Sequence, residues 1–544
     1  MKNHLITLLP AIALSLFSAG NAQADGAGDP IGITIDAGVT INAGTGDFAP
    51  YHISANCGGT VTQQFSTLLD VGAYHPLDTT KRLSWGAGVE FWGGWSSSTD
   101  YKRLKPDIPY PSADGEMLSQ HPARVWVQEL YVTGKYRGVF LTLGQQEKGS
   151  PWLNQRLSSG DLIRSGNARP GYGASAGFVN FQSIPFTKGW VQIAGELGYY
   201  RLGDGKWLEN HYNHAANFIT TGYWLNYKNI YLRTNPSKRF VFTVGMQAAC
   251  QFGGTIKQYA TTVNEHGQYV ATLQTTTKMD CNAKAFFKAL IPGSGGNASG
   301  DHYYEGNHVG SWDISLKYNF KNGASLKAYL QKPFEDGSGI GWKNGFDGLW
   351  GLEYNAGKRG IVSAAVIEYL DLTNHSGPLH FNPGDYASVA ESISWSQIDA
   401  KATGSDDYYN NYAYNGYQNR GMAIGSPMVK SPLYHTDGYM RFFDNRLRGF
   451  HIALEGDIVA NLSYRAMYSW RKSWGNIFMP RTEPVTQNAC MLEASYNVPR
   501  VKGLQLNLQL ALDHGSLYNG YAAKADGSHT NFGALLAVRY RLGL

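Results

Sequence analysis

The sequence predicts an all-β chain closed into a transmembrane antiparallel β-barrel. Three observations predict it. Polar and apolar side chains alternate with period two over many segments. Beyond residue 24 no run of about 18 apolar residues occurs, which argues against a helix spanning a bilayer. The 544 residues include 65 Gly, 35 Tyr and 14 Trp, while charged residues make up only 16%. Soluble domains carry about 25% charged residues. Tyr and Trp suit a membrane–water boundary. A mean hydropathy of −0.32 does not oppose this reading, because lipid-facing and lumen-facing residues cancel in the average.

The alternation is clearest from Trp312 to Gln331. Trp312, Ile314, Leu316, Tyr318 and Phe320 are apolar, and the residues between them are polar. Asn322-Gly323 then tolerates the positive φ angles of a tight hairpin. Ala324, Leu326, Ala328 and Leu330 resume the apolar face. A soluble sandwich gives the same local pattern, so the rest of the chain has to decide between core and lipid.

Taken in order, the chain opens with Lys2, an apolar run from Leu5 to Phe17, and Ala22-Gln23-Ala24. This reads as a secretory signal peptide over residues 1–24, with the barrel following from 25 to 544. The run is short for a membrane anchor. Trp85–Trp95 is the first clear wall segment. Arg124–Tyr136 and Val139–Gln145 form a hairpin about Arg137-Gly138. Phe178–Gln182, Trp190–Leu197, Asn229–Arg233, Phe240–Gln247 and Ala364–Leu372 read as further strands. Ser96–Pro122 and Gln251–Asp280 read as loops, and Leu208–Asn217 as a short helix or plug-like insert. Thr373–Asn445 carries almost no period-two pattern.

The last hundred residues are the most barrel-like. Leu462 to Trp470, Leu504 to Leu512 and Phe532 to Leu544 each place apolar residues at every second position. A closed barrel pairs its terminal strand with its first, since an open edge in lipid leaves backbone groups unbonded. Arg465, Arg471, Arg539 and Arg541 share the polar faces. A lipid-facing Arg costs about 2–4 kcal/mol at mid-membrane, so these four are expected to face the lumen.

Several segments resemble the Wzi family of capsule-assembly proteins, in its Bacteroidetes-type form. They are Trp224–Pro236, Gly310–Tyr318, Pro333–Ile340, Lys343–Leu352, Asp406–Gly416 and Gly421–Pro427. The resemblance implies an outer-membrane barrel of about eighteen strands with plug-forming loop and helical insertions. It also implies a non-enzymatic role in a Gram-negative outer membrane, in which surface or capsular polysaccharide is bound and held. The partners would be that polysaccharide and outer-membrane lipid, with no nucleic acid, no cofactor and a single copy of the chain. The polar, partly basic lumen keeps a porin or small-solute channel as the alternative.

The candidate glycan platform is Tyr408, Tyr409, Tyr412, Tyr414, Tyr417 and Arg420, among Asn410, Asn411 and Asn415. Aromatic rings stack on sugar faces while amides bond hydroxyls. The competing reading is that these tyrosines pack a plug against the wall. Glu335–Gly339 and Asp347-Gly348 could hold calcium but read more simply as turns. His211-x-x-His214 lacks a third metal ligand. Gly173-Ala-Ser-Ala-Gly177 matches a nucleophile elbow only formally, since a strand rather than a helix is expected after it. The four cysteines, Cys57, Cys250, Cys281 and Cys490, show no metal spacing; Cys250 and Cys281 could close a loop, or all four could stay free.

Overall fold

The computed structural model of the protein describes residues 32–214, 218–290, 306–335, 337–375, 406–411, 413–518, 520 and 527–543. The expected leader, residues 1–24, lies outside them, as does Leu544. Eighteen antiparallel strands form a closed wall. In chain order the first six are β1 (Thr34–Phe48), β2 (Gln63–His75), β3 (Leu83–Ser96), β4 (Val125–Tyr136), β5 (Val139–Gln145) and β6 (Tyr172–Phe178). The next six are β7 (Val191–Arg201), β8 (Trp224–Thr234), β9 (Phe240–Phe252), β10 (Asn307–Asn319), β11 (Ser325–Phe334) and β12 (Gly348–Asn355). The last six are β13 (Ala364–Leu372), β14 (Leu447–Val459), β15 (Leu462–Gly475), β16 (Pro480–Asn497), β17 (Leu504–Gly515) and β18 (His529–Gly543). The wall closes where β1 meets β18, in register from Thr34↔Gly543 to Gly44↔Gly533.

The direction of the greasy face is settled by burial. On β10, Leu316 is 48% exposed while Asp313 is fully buried. A soluble sandwich would show the reverse. On β17 and β18, Leu508, Leu510, Leu512 and Leu536 all point outward. Their polar neighbours turn in: Gln509 Nε2 donates to Glu493 Oε2 at 3.1 Å. The four arginines follow the expected sidedness. Arg465 Nη2 reaches Glu493 Oε2 at 2.5 Å, and Arg471 is fully buried. Arg541 pairs through two nitrogens with Asp36 on β1 at 2.7 and 2.6 Å. Arg539 lies opposite Gly38, a position whose missing side chain leaves room for lumenal Asp70. Outward Trp85, Phe240 and Phe320 mark one end of the apolar band, and Trp95, Phe346 and Trp350 the other. These are the aromatic girdles of a barrel in lipid.

The two ends differ. Turns 137–138, 235–239, 320–324, 460–461 and 498–503 sit at the end that also holds Thr34 and Gly543. The opposite end carries the described residues 97–124, 146–171, 202–214, 218–223, 253–290, 373–375, 406–411 and 413–446. Barrels of this kind have short periplasmic turns and longer extracellular loops, so the long-loop end faces outward.

Three details depart from the sequence reading, and one open alternative is resolved. Segment 251–280 is not a plain loop: Thr255–Val263 and Tyr269–Lys278 pair as a hairpin, joined by Phe218–Thr221. Ser96–Pro122 holds a second hairpin, Thr99–Arg103 with Glu116–Gln120. Phe178–Gln182 is not one strand, because β6 ends at Phe178 and only Gln182–Ser183 pairs again with β7. The cysteines are free thiols, with Cys250 Sγ 3.4 Å from His308 Nε2 and Cys281 exposed, so Cys250 and Cys281 do not close a loop. The helix expected near Leu208 is present as Gly205–His211.

Candidate functional site: the plugged lumen and its mouth

Residues 150–165 fold into the lumen. Asp161 is the peg. Its carboxylate accepts Ser150 Oγ at 2.6 Å and the backbone N–H of Ile163 and Arg164 at 2.8 and 3.1 Å. Gln247 of β9 donates to it at 2.9 Å and also to Asp313 of β10 at 2.9 Å. Tyr231 donates to the same Asp313 at 2.7 Å. Glu368 of β13 receives Ser158 Oγ at 2.7 Å, Ser159 N at 2.6 Å and Tyr329 Oη at 2.5 Å. Inward polar side chains of the wall thus bond the insert's backbone. Such buried acceptors are stable only when their partners are present.

Segment 406–446 packs against that first insert. Tyr408, Tyr409, Tyr414 and Tyr417 are 1–4% exposed. Each hydroxyl donates within the protein: Tyr408 to Asp347 at 3.0 Å, Tyr409 to Leu162 O at 2.5 Å, Tyr414 to Gly253 O at 3.3 Å and Tyr417 to Ile163 O at 2.9 Å. Their rings have no face left for a sugar. The platform expected from the sequence is therefore, in the structure, the packing of the plug. The physical reason is that an insertion threaded into a lumen must bury apolar surface and satisfy polar groups together, which a tyrosine does. Tyr412 lies outside the described residues. Arg420 sits on a turn with φ +51° and donates to Gly203 O at 3.0 Å. Tyr409, at φ +73°, is also left-handed. Such backbone is kept only where surroundings over-determine it.

The other motifs resolve as structure. The Asp347 carboxylate accepts the backbone N–H of Thr373, Asn374 and His375 as well as the Tyr408 hydroxyl. Four donors occupy the lone pairs of this carboxylate that a cation would need. His211 stacks on Trp207 at 4.0 Å, and His214 meets the edge of Tyr259 at 4.9 Å. Among the described residues no group of His, Cys, Asp and Glu is arranged to hold a metal. Ser175 lies in strand β6, and its Oγ accepts Lys148 Nζ at 3.0 Å.

Burial also sets the plug's charge. It raises the carboxyls of Asp347 and Asp407 to about 6. It lowers His375 to about 4 and His435 well below its usual value. A raised carboxyl binds more protons folded than unfolded, so its contribution falls as pH rises from about 4 to 6. A depressed imidazole binds fewer, so its contribution falls as pH drops from about 6.5 to 4. Two of each oppose one another in the same window. We expect the plug's protease resistance to be nearly flat over that range. Asp407→Asn removes one raised carboxyl and should tilt the balance. Its plug should lose up to about 1.4 kcal/mol per pH unit on acidification, read as faster cleavage of segment 406–446 at pH 4.5 than at pH 6.5. Equal rates would refute the balance.

Above the plug the two extracellular hairpins meet. Tyr110 and Tyr269 bridge them through paired backbone bonds of 2.9 and 2.8 Å. Arg103 donates to the backbone of Glu209 at 2.5 Å, and Lys257 pairs with Glu209 at 2.9 Å. Gln258, Thr261, Gln274, Thr275 and Thr276 are exposed, with Tyr259 half-buried among them. The mouth is therefore lined by hydroxyls, amides and an aromatic ring. Sequence alone does not reveal it, because Tyr269–Lys278 ends in a polar run, Gln274 to Lys278, with no apolar alternation.

No family model and no curated protein matches the chain. Solved structures do. Wzi of Escherichia coli, described as an outer-membrane protein involved in group 1 capsule assembly and a carbohydrate-binding β-barrel, aligns with a TM-score of 0.51 at 12% identity, covering 94% of this chain and 85% of that one. OccAB2 of Acinetobacter baumannii aligns at 0.43 and 8% identity, covering 94% and 97%. OprD of Pseudomonas aeruginosa aligns at 0.41 and 10% identity, covering 96% of each. At these identities the likeness is one of fold. The fold shared with Wzi, with the girdles and the closed wall, is that of a barrel in a Gram-negative outer membrane.

Proposed function

We propose that this barrel binds surface or capsular polysaccharide without catalysis and helps hold it at the cell surface. One observation carries the reading: the lumen is filled by the chain's own insertions, pegged to the wall through Asp161, Glu368 and Asp347. A wall of this size would otherwise leave an aqueous channel. Effort spent on filling it suits a protein that works at its mouth rather than through its bore. The mouth's hydroxyls, amides and Tyr259 are suited to sugars, which combine apolar ring faces with many hydroxyls. The carbohydrate binding described for Wzi is consistent with this assignment.

The test is retention of polysaccharide by cells carrying Gln258→Ala, Tyr259→Ala and Gln274→Ala together. Loss of one ring and two amides should weaken binding by about 2–3 kcal/mol, roughly thirtyfold or more. Unchanged retention by a folded, surface-exposed variant would remove the mouth as the contact.

A further inference from the structure

At the long-loop ends of β6 to β8, between wall and plug, lies a cavity of about 70 Å³. Lys148, Arg164, Arg169, Tyr200, Tyr227 and Tyr417 line it. Two of the cations are matched. Lys148 and Arg164 share Glu196 at 2.5 and 3.1 Å, and Arg164 lies 4.0 Å over the Tyr227 ring.

Arg169 is not matched. Its guanidinium lies 4.5 Å above the Trp126 ring, and its Nε is buried with no hydrogen-bond partner. Among the described residues no carboxylate or carbonyl accepts from it. The charged group acting on it is Arg420, of like sign. Glu147 is the acid that lines the cavity, but its Oε1 lies against Gly58, where a Cβ would be 2.7 Å from it, and it interacts with Gln128 and Glu129. A guanidinium whose Nε is shut off from water needs an anion to offset the lost hydration, and stacking on a Trp offsets only part of it. A site in this condition lacks its anion.

The geometry points to Arg169 as the anchor of an anion subsite, taking the carboxylate or phosphate substituent of an acidic glycan whose sugar rings remain at the mouth. This rests on the polysaccharide reading above and narrows it to acidic polymers. Size agrees. One water needs roughly 10–15 Å³ of such volume, so the cavity holds a few waters or one small anion, not a whole sugar ring. The guanidinium fork suits both carboxylate and phosphate.

The test uses the full-length protein in detergent with two probes, tetragalacturonate and maltotetraose. Wild type should bind the acidic probe about tenfold more tightly, the worth of one charge-assisted hydrogen bond. Arg169→Gln should abolish that preference while leaving maltotetraose binding unchanged. Arg169→Lys should restore part of it, since Lys keeps the charge but not the fork. Heat-modifiable migration on gels confirms that each variant is folded. Where the preference is found, displacement of tetragalacturonate by mannose 6-phosphate adds phosphate to the anions accepted, and no displacement restricts the site to carboxylates. Equal binding of both oligosaccharides, unaffected by Arg169→Gln, overturns the subsite and leaves the polysaccharide reading standing. Binding of neither overturns both.

Discussion

A variant with residues 376–445 replaced by a short Gly-Ser linker is expected to carry steady ion current in planar bilayers, where the full chain stays near baseline. The wall does not depend on that insertion for its own hydrogen bonds. Each strand bonds its neighbours, and β1 bonds β18. The inward groups that would lose partners, such as Asp347 and Arg481, would gain water instead, so their desolvation penalty disappears with the plug. Without the 406–445 part of the plug, an 18-stranded wall leaves room for water beside the 150–165 insert, which keeps its own bonds to Gln247 and Glu368. The effect is therefore large on conductance and small on the wall's resistance to unfolding. Liposome swelling with small sugars gives an independent readout. If the full chain already passes sugars as fast as the variant, the lumen is a conduit and the channel reading replaces the one proposed here.

Lipid makes the wall legible in the sequence, and the lumen leaves the plug illegible. Leu504, Leu506, Leu508, Leu510 and Leu512 announce a strand because lipid imposes one demand on every second residue. The lumen imposes no such repeat. Asp161 matters because Gln247 and Asp313 come to lie beside it, and nothing in the local sequence of residues 150–165 records that meeting. The tyrosines from Tyr408 to Tyr417 stood out as a cluster, but stacking on sugar and packing in a plug call for the same residue type. Only burial separates them. Alternation alone puts Arg471 on a lumenal face, yet its partners come from four separate segments. Arg169 was invisible for a further reason. It is one arginine in a loop, and what distinguishes it is a counter-charge that its neighbours do not supply.

Arg471 carries the second large effect. Its side chain is fully buried between the rings of Tyr51 at 3.9 Å and Tyr518 at 4.6 Å. Nη1 donates to Pro427 O at 3.3 Å, Met428 O at 3.2 Å and the Tyr518 hydroxyl at 3.3 Å, and Nη2 donates to Gln487. One wall residue thus holds the 406–446 insertion, the Tyr51–Ser54 helix and the loop after β17 together. Arg471→Met keeps length and apolar contact but leaves two buried carbonyls and a buried amide without a donor. Each such orphan costs about 1–3 kcal/mol, and the lost cation–π contact adds up to about 2 more. A total near 3–5 kcal/mol matches what removing one partner of a buried charged network does elsewhere. That loss falls on the plug, because the backbone ladder of β15 to its neighbours is untouched. We therefore expect protease cleavage within 420–446 and intermittent current through the barrel, with the wall's own unfolding nearly unchanged. Arg471→Lys should be intermediate, since an ammonium reaches fewer of these acceptors than a guanidinium does. Wild-type protease resistance in Arg471→Met would mean that Asp161, Glu368 and Asp347 hold the plug without it, and that the stacked cation is dispensable.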